Sequence, residues 1–134
     1  MNFVSIRIIT TDVDRLVRFY EQISGIAATR YTPDFAELAM PGLTLAIGST
    51  RTLQAFGGDS VARPAANHST IVEFIVDDVD ADHQKLAKVI GSGLVQAPTT
   101  MPWGNRSLLF RDPDGNLVNF FTPVSDAAKK KFGK

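Results

Sequence analysis

A repeated pattern of strand, acidic cap and helix constrains the fold of this chain more than any other sequence feature. Phe3 to Thr10 is rich in β-branched residues and predicts a strand, and Thr70 to Val76 has the same character. Residues 12–14 and residues 78–80, which follow these strands, both read Asp-Val-Asp, and their carboxylates can cap the start of a helix. The sequence therefore predicts two copies of one strand-helix unit.

Each predicted helix ends at a glycine and leads into three further strand-like segments. The first helix ends at Gly25, and the second spans Val79 to Ile90 and ends at Gly91. The strands that follow are about Ala27 to Tyr31, Phe35 to Met40 and Leu43 to Gly48 in the first half, and about Gly93 to Ala97, Asn105 to Phe110 and Leu117 to Phe121 in the second. An internal repeat of this kind fixes the architecture, so we expect an α+β fold of two tandem β-α-β-β-β modules.

The chain length of 134 residues is typical of one domain with its own apolar core. Module one is predicted at about 1–50 and module two at about 68–123, joined by a linker at about 51–67. The linker contains few periodic apolar residues and is predicted to be a loop. The short C-terminal tail, 124–134, carries three consecutive lysines and is predicted to be solvated.

The charge and cysteine content exclude several classes of function. Fourteen basic and fourteen acidic side chains give a net charge of +0, which argues against nucleic-acid or membrane-surface binding driven by bulk charge. Without cysteine there is no disulfide, no thiolate nucleophile and no cysteine-based zinc site. No segment looks like a signal peptide or a membrane span, so we expect a cytoplasmic protein with no nucleic-acid and no membrane partner.

A hairpin signal lies near the C-terminal end of the second module. Asp112 to Asn116 reads Asp-Pro-Asp-Gly-Asn, in which proline presets φ and glycine supplies the positive φ of a turn. Apolar runs flank this turn, and the second of them contains Asn119. The hairpin therefore delivers an amide side chain to the sheet.

Alternation along the strands assigns side chains to two faces of each sheet. The side chains expected to meet the helices are Ile6, Ile8, Val72, Phe74 and Val76. Those expected on the other face are Ser5, Arg7, Ile71, Glu73 and Ile75. Two such sheets would enclose a concave cleft, formed either within one chain or between chains that exchange modules.

These motifs resemble those of the vicinal oxygen chelate superfamily, which includes glyoxalases, bleomycin-resistance proteins and extradiol dioxygenases. The resemblance rests on Asp12-Val13-Asp14 with Phe19-Tyr20 and Gly25, on residues 76–80, on Pro102-Trp103-Gly104 and on residues 112–116. It covers about Phe3 to Pro123, nearly the whole chain. It implies a glyoxalase/bleomycin-resistance-like fold and a homodimer.

The resemblance also locates the positions that hold a divalent cation in the metalloenzymes of this superfamily. There, His, Gln or Glu stands on the first and fourth strands of each module. The equivalent positions here are Ser5, Ala46, Ile71 and Asn119. Two of these side chains cannot ligate and the other two are neutral, so we expect no metal and no other cofactor. The two histidines, His68 and His83, are predicted to lie in a loop and on an exposed helix surface rather than to act as ligands.

Arg7 and Glu73 occupy equivalent places in the two modules, and two interpretations stay open. Arg7 could anchor a carboxylate or phenolate while Glu73 serves as a general base, or the two could form a buried structural ion pair. Trp103 either lines the cleft or closes a hairpin end. Further aromatic candidates for the cleft are Tyr31, Phe35 and Phe56.

The sequence favours a metal-independent protein of the bleomycin-resistance type that binds a small aromatic or planar organic molecule. The predicted ligand-binding residues are Ser5, Arg7, Ala46, Ile71, Glu73, Trp103, Arg106, Asn119 and Phe121. The alternative is a glyoxalase-like or dioxygenase-like lyase or isomerase, with a displaced metal site or with metal-free acid-base chemistry through Glu73 and Arg7 as the candidate catalytic residues. A third interpretation, an oligomeric module without ligand chemistry, also stays open.

Overall fold

The first of two units in the chain, Met1–Asn67, is built on a mixed four-stranded sheet. The computed structural model describes all residues, 1–134. The elements of this unit are strand β1 (Ser5–Thr10), helix α1 (Val13–Ser24), and strands β2 (Thr29–Thr32), β3 (Phe35–Ala39) and β4 (Thr44–Ser49). The strand order is β1-β4-β3-β2, in which β1 runs parallel to β4 and the other neighbours are antiparallel.

Helix α1 forms where its caps and its apolar face predict it. The Asp12 carboxylate accepts a hydrogen bond from the Arg15 backbone N–H at 3.0 Å, and Gly25 ends the helix with a φ of 71°. Its buried face consists of Val13, Leu16, Val17, Phe19, Tyr20 and Ile23. This face packs on β3 and β4, where Ala36, Leu38 and Ile47 are fully buried. The apolar core of the unit therefore lies between α1 and one face of the sheet.

The second unit, His68–Lys134, repeats the topology of the first. Its elements are strand β5 (Ile71–Ile75), helices α2 (Val79–Lys85) and α3 (Ala87–Ile90), strands β6 (Leu94–Thr100), β7 (Asn105–Arg111) and β8 (Leu117–Pro123), and helix α4 (Asp126–Lys131). The sheet order is β5-β8-β7-β6, again with one parallel pair, β5 with β8. The predicted α+β architecture of two β-α-β-β-β modules is confirmed.

The strand register fixes which side chains share a face of each sheet. Ile6 pairs with Leu45 and Phe74 pairs with Phe120, on the faces that carry the buried core. Arg7 pairs with Ala46 and Glu73 pairs with Asn119, on the opposite faces. We call these opposite faces the distal faces of the first and second units. The assignment of β1 and β5 side chains by alternation is therefore confirmed.

Three segments differ from the sequence prediction. The second helix is not continuous, because Leu86 takes φ −98° and ψ 7° between α2 and α3; nothing in the local contacts explains this break. The linker begins with a 3₁₀ helix, Thr50–Phe56, in which the Ser49 hydroxyl caps the Arg51 backbone N–H and Leu53 is buried. The tail contains α4, which starts where the Ser125 hydroxyl caps the Ala128 backbone N–H at 3.0 Å.

Helix α4 packs on the second unit at Gly104. This glycine has a φ of 93°, and a side chain on it would collide with the Ser125 hydroxyl. The backbone N–H groups of Val124 and Ser125 both donate to the Gly104 carbonyl, at 2.9 and 3.1 Å. The tail is therefore docked rather than solvated, although its lysines remain exposed. None of the helices is long and apolar enough to cross a membrane.

Candidate functional site

The four positions that the family resemblance assigns to metal ligands do not fit a metal ion. Ala46 is 2% exposed and has no donor atom, and Ile71 is an exposed aliphatic side chain. Ser5 is half-buried and neutral, and the Asn119 amide is hydrogen-bonded to Glu73. No group of three or more His, Asp or Glu side chains lies close enough together to hold a metal ion. Zinc, iron and manganese sites are built from such donors, so the residues present do not make one.

A short hydrogen bond joins the two polar side chains on the distal face of the second unit. The Asn119 Nδ2 group donates to Glu73 Oε2 at 2.8 Å. Asn119 is 9% exposed, and its Oδ1 atom is buried without a hydrogen-bond partner. Glu73 is exposed and stands between the exposed side chains of Ile71 and Ile75. The arrangement fixes one carboxylate oxygen on an otherwise apolar strand.

Two aromatic rings hold the cation on the distal face of the first unit. The guanidinium carbon of Arg7 lies 4.9 Å from the centroid of the Phe35 ring and 5.4 Å from that of Phe56. Phe35 is the cross-strand partner of Gly48, and Phe56 ends the 3₁₀ helix that follows β4. These distances are within the range of cation-π attraction. Arg7 makes these two ring contacts and has no carboxylate partner.

The Arg7 and Glu73 side chains are both exposed. Each strand presents its charged residue on the distal face of its own unit, and the interpretation of an Arg7–Glu73 ion pair stays open. The roles of Arg7 as an anion anchor and of Glu73 as a base stay predictions.

Tyr31 and Glu37 extend the polar and aromatic surface around Arg7. Glu37 pairs with Ala46, which pairs with Arg7, so the three side chains share one row of the distal face. The hydrogen bond from the Tyr31 hydroxyl to Glu37, followed by the negative charge of that carboxylate, raises the pKa of Tyr31. The Tyr31 ring lies 6.0 Å from Phe35. Tyr31 thus extends the aromatic surface next to Phe35, one of the two rings that contact the Arg7 guanidinium.

Arg106 lies on the core-bearing face of the second sheet, opposite to the face of Asn119, and its ligand contact stays a prediction. Ser107 pairs with Phe121 on the distal face, so the preceding residue points the other way. There its guanidinium donates two hydrogen bonds to Asp80, at 2.7 and 2.9 Å. This contact lowers the pKa of Asp80 and raises that of Arg106. Arg106 therefore ties β7 to helix α2.

The remaining aromatic candidates of the second unit, Trp103 and Phe121, differ in their exposure to solvent. Trp103 is 67% exposed, so it does not plug the end of the hairpin, and its ligand contact stays a prediction. Phe121 faces the same side as Asn119 but is buried, with its ring centroid 5.2 Å from that of Phe132. Phe132 directly follows α4, so the C-terminal segment covers this part of the distal face. Phe121 therefore supports packing.

The two histidines differ in where they lie and in how exposed they are. His68 is an exposed loop residue, as predicted, whereas His83 is half-buried in α2 rather than exposed. The neighbouring Asp82 is also half-buried, and this burial is the main cause that raises its pKa. This acidic helix surface therefore differs from the fully solvated one that the sequence predicted.

Sequence reasoning missed the contacts that fix Arg7. The 3₁₀ helix carrying Phe56 was predicted to be a loop, although Ser49 as a cap and the spacing of Leu53 and Phe56 by three residues are signals for such a turn. The pairing of Tyr31 with Glu37 depends on a register shift in β2 and β3 that no local pattern encodes.

Comparison with known proteins places this geometry in a family. A sequence profile described as Glyoxalase/Bleomycin resistance protein/Dioxygenase superfamily matches residues 2–120. Among curated proteins, YwbC of Bacillus subtilis (strain 168) is 26% identical over 117 residues, which is 85% of this chain and 91% of that protein.

Solved structures show the same fold at low sequence identity. A glyoxalase/bleomycin resistance protein/dioxygenase family enzyme from Burkholderia phytofirmans PsJN matches with a TM-score of 0.81 at 18% identity, over 92% of this chain and 100% of that chain. A glyoxalase/bleomycin resistance protein/dioxygenase from Nocardioides matches with a TM-score of 0.75 at 21% identity, over 94% of this chain and 85% of that chain. With the profile match, these findings show that the chain belongs to the Glyoxalase/Bleomycin resistance protein/Dioxygenase superfamily.

Proposed function

We propose that this chain is a metal-independent protein that binds a planar organic molecule on the distal face of its first unit. The observation that carries the proposal is the Arg7 guanidinium, set against the Phe35 and Phe56 rings without a carboxylate partner. Aromatic side chains with a few placed polar groups are typical of small-molecule sites. The function is the bleomycin-resistance type that the sequence favours, in which binding itself is the activity.

Exposure of the aromatic side chains supports ligand contact on this face. Tyr31 and Phe56 are both exposed, and Phe35 on β3 is half-buried. Large aromatic groups left in water are available to bury against a flat ligand, at roughly 25 cal/mol per Å² of apolar surface removed from water. A planar ring is the shape that such side chains accept with the least rearrangement.

The residues at the four family positions support metal independence. Ala46 and Ile71 offer no ligand atom, and Asn119 uses its amide nitrogen on Glu73. A divalent cation needs several oxygen, nitrogen or sulfur donors at fixed distances, and this chain does not bring three strong donors together. Ligand binding here is therefore assigned to aromatic contact, hydrogen bonds and charge.

A thermal-shift screen on chelator-treated protein tests the proposal. A library of planar aromatic compounds should contain members that raise the melting temperature, because a ligand that prefers the native state stabilises it by RT ln(1 + [L]/Kd). The Phe56→Ala variant should lose these shifts, whereas Leu94→Ala, at an exposed apolar side chain on β6 of the second unit, should keep them. A screen without any stabilising compound, or shifts that appear only after metal addition, would contradict the proposal.

Metal-free acid-base catalysis through Glu73 is the second candidate function. It is favoured by the hydrogen bond from Asn119, which fixes one Glu73 oxygen at 2.8 Å while the residue stays exposed. A positioned carboxylate can take a proton from a bound carbon or oxygen acid. Under this candidate, Glu73→Gln should abolish proton abstraction from a compound bound on the distal face of the second unit, while the variant keeps a cooperative melting curve. Equal turnover by the variant and the wild type would exclude it.

A further inference from the structure

We propose that the ligand of the first unit is a planar aromatic anion, whose carboxylate or phenolate oxygen is bound by Arg7. This inference rests on the proposed function and narrows it to one chemical class. It assigns the affinity of the site to one charged side chain on β1 and to the two rings beside it.

Arg7 is held in place before any ligand arrives. Its aliphatic stem passes over Gly48, where an added Cβ atom would lie 3.6 Å from Arg7 Cδ and 2.9 Å from Thr52 Oγ1. The Phe35 and Phe56 rings contact the guanidinium further out. An arginine that is already ordered loses less side-chain entropy on binding an anion, and its planar fork can form two parallel hydrogen bonds to a carboxylate.

The hydrogen-bonding capacity of Arg7 is unused, in contrast to that of other arginines in the chain. Arg30 binds Asp14 at 2.9 Å, Arg51 binds Asp34 at 2.9 Å, and Arg106 binds Asp80 through two nitrogens. The interactions of Arg7 are with aromatic faces, which satisfy its charge but none of its N–H donors. Because Arg7 is exposed, these donors face solvent, and an incoming oxyanion can take the place of water there.

Glu37 is the acidic residue in the same row, and its contacts leave Arg7 available. Its carboxylate forms no ion pair with Arg7, although both residues flank Ala46 in the register. The one carboxylate in the register row of Arg7 therefore does not neutralise the guanidinium. Removing the Glu37 charge should strengthen anion binding.

A set of probes with one ring system and different charges tests the ligand class. The probes are 2-naphthoate, the neutral 2-naphthamide and the cationic 2-naphthylmethylammonium, titrated calorimetrically in the presence of a chelator. We expect the wild type to bind the acid at least about tenfold more tightly than the amide, because hydrogen bonds to charged groups are worth more than neutral ones. The cation should bind most weakly.

Variants assign that preference to particular side chains. Arg7→Gln should bind acid and amide alike, Arg7→Lys should keep part of the preference, and Glu37→Gln should increase it. Phe56→Leu should weaken the binding of the acid and of the amide to a similar degree. Arg18→Gln is the matched control, since it removes an exposed guanidinium that pairs with Asp14 on helix α1 of the same unit, and it should leave the preference unchanged. Melting curves establish that each variant is folded.

The outcomes separate this inference from the proposed function. Equal affinity of the wild type for the acid and the amide would overturn the assignment of an anionic ligand, and so would a preference for the acid that survives in Arg7→Gln. Either result would leave intact the proposal that the protein binds a planar molecule. Tighter binding of the ammonium probe would also overturn the assignment of an anionic ligand. If none of the three naphthyl probes bound and the thermal-shift screen were also negative, the proposed function would fail together with this inference.

Discussion

The distal faces of the two units are built on the same strand order, but they carry different side chains. In the first unit, one register row contains Arg7, Ala46 and Glu37, and aromatic rings surround the cation. In the second unit, the equivalent row contains Glu73, Asn119 and Leu109. The first face therefore offers hydrogen-bond donors on a cation, and the second offers a carboxylate.

The two faces also differ in what covers them. On the second, Phe132 of the C-terminal segment packs on Phe121, two residues beyond Asn119 on β8. On the first, the 3₁₀ helix after β4 brings Phe56 to Arg7. A repeated fold thus fixes where side chains stand, while short segments outside the repeat decide which of them a ligand can reach.

The largest expected effect tests the docking of α4, a feature that the first unit lacks. Gly104→Ala should lower the free energy of unfolding by about 3 kcal/mol, because the new Cβ collides with Ser125 and the residue has a positive φ. Gly115→Ala is the control, since its φ is 82° but no atom lies within 4 Å of the new Cβ; it should cost about 1 kcal/mol. Urea denaturation measures both. Equal losses would show that α4 does not press on Gly104.

The next effect concerns the polar pair of the second distal face. Asn119→Asp would place a second carboxylate opposite Glu73 and should destabilise the protein at neutral pH by roughly 1 kcal/mol. The loss should fade as the pH falls, because one of the two carboxylates then takes up a proton. Asn119→Leu removes the buried Oδ1 that has no partner, so its stability should change by less than about 1 kcal/mol. If Asn119→Asp destabilised the protein less than Asn119→Leu does, the assigned contact between Asn119 and Glu73 would be contradicted.

Arg106→Gln tests whether Arg106 acts in packing rather than in ligand contact. In the native protein the pKa of Asp80 lies below the ordinary value of 3.8 because of its hydrogen bonds from Arg106. The resulting stability is present above the unfolded pKa and is lost as the pH falls through the folded one. The melting temperatures of variant and wild type should therefore differ slightly at neutral pH and converge in acid. A difference in melting temperature that increased in acid would contradict the contact between Arg106 and Asp80.

The smallest expected effect is spectroscopic and concerns the first distal face. The Tyr31 phenol should ionise above the ordinary pKa of 10.0, because Glu37 accepts its hydrogen bond. Any stability from this contact is present below the unfolded pKa and is lost as the pH rises through the folded one. Absorbance titration of Glu37→Gln should show the transition shifted toward 10.0, with Tyr31→Phe identifying the signal. An unshifted transition in the variant would exclude the Tyr31 to Glu37 bond.

Sequence periodicity predicted much of the fold because the informative signals are local. A period of two placed Arg7 and Glu73 on the distal faces, and Asp12 and Asp78 marked the two helix starts. The face on which Arg106 lies could not be read from the sequence alone, because it depends on the register of β7 against β8, which pairs Ser107 with Phe121.

The contacts that fix the candidate site are tertiary and left weaker traces in the sequence. Helix α4 has few apolar residues, and its position depends on Gly104, far from it along the chain. The contact between Arg7 and Phe56 requires β1 and the 3₁₀ helix to meet across β4. Such contacts arise from packing between elements, and the periodicity within each element does not specify them.

The affinity of 2-naphthoate with and without chelator tests the central claim, that the first distal face binds a planar anion without metal. Calorimetric titration in excess EDTA, and again after adding Zn²⁺, Ni²⁺, Mn²⁺ or Fe²⁺, should give the same dissociation constant for the wild type. The same titration of Arg7→Gln should show a much weaker interaction. Binding that disappears in EDTA and returns with a divalent metal would contradict the account.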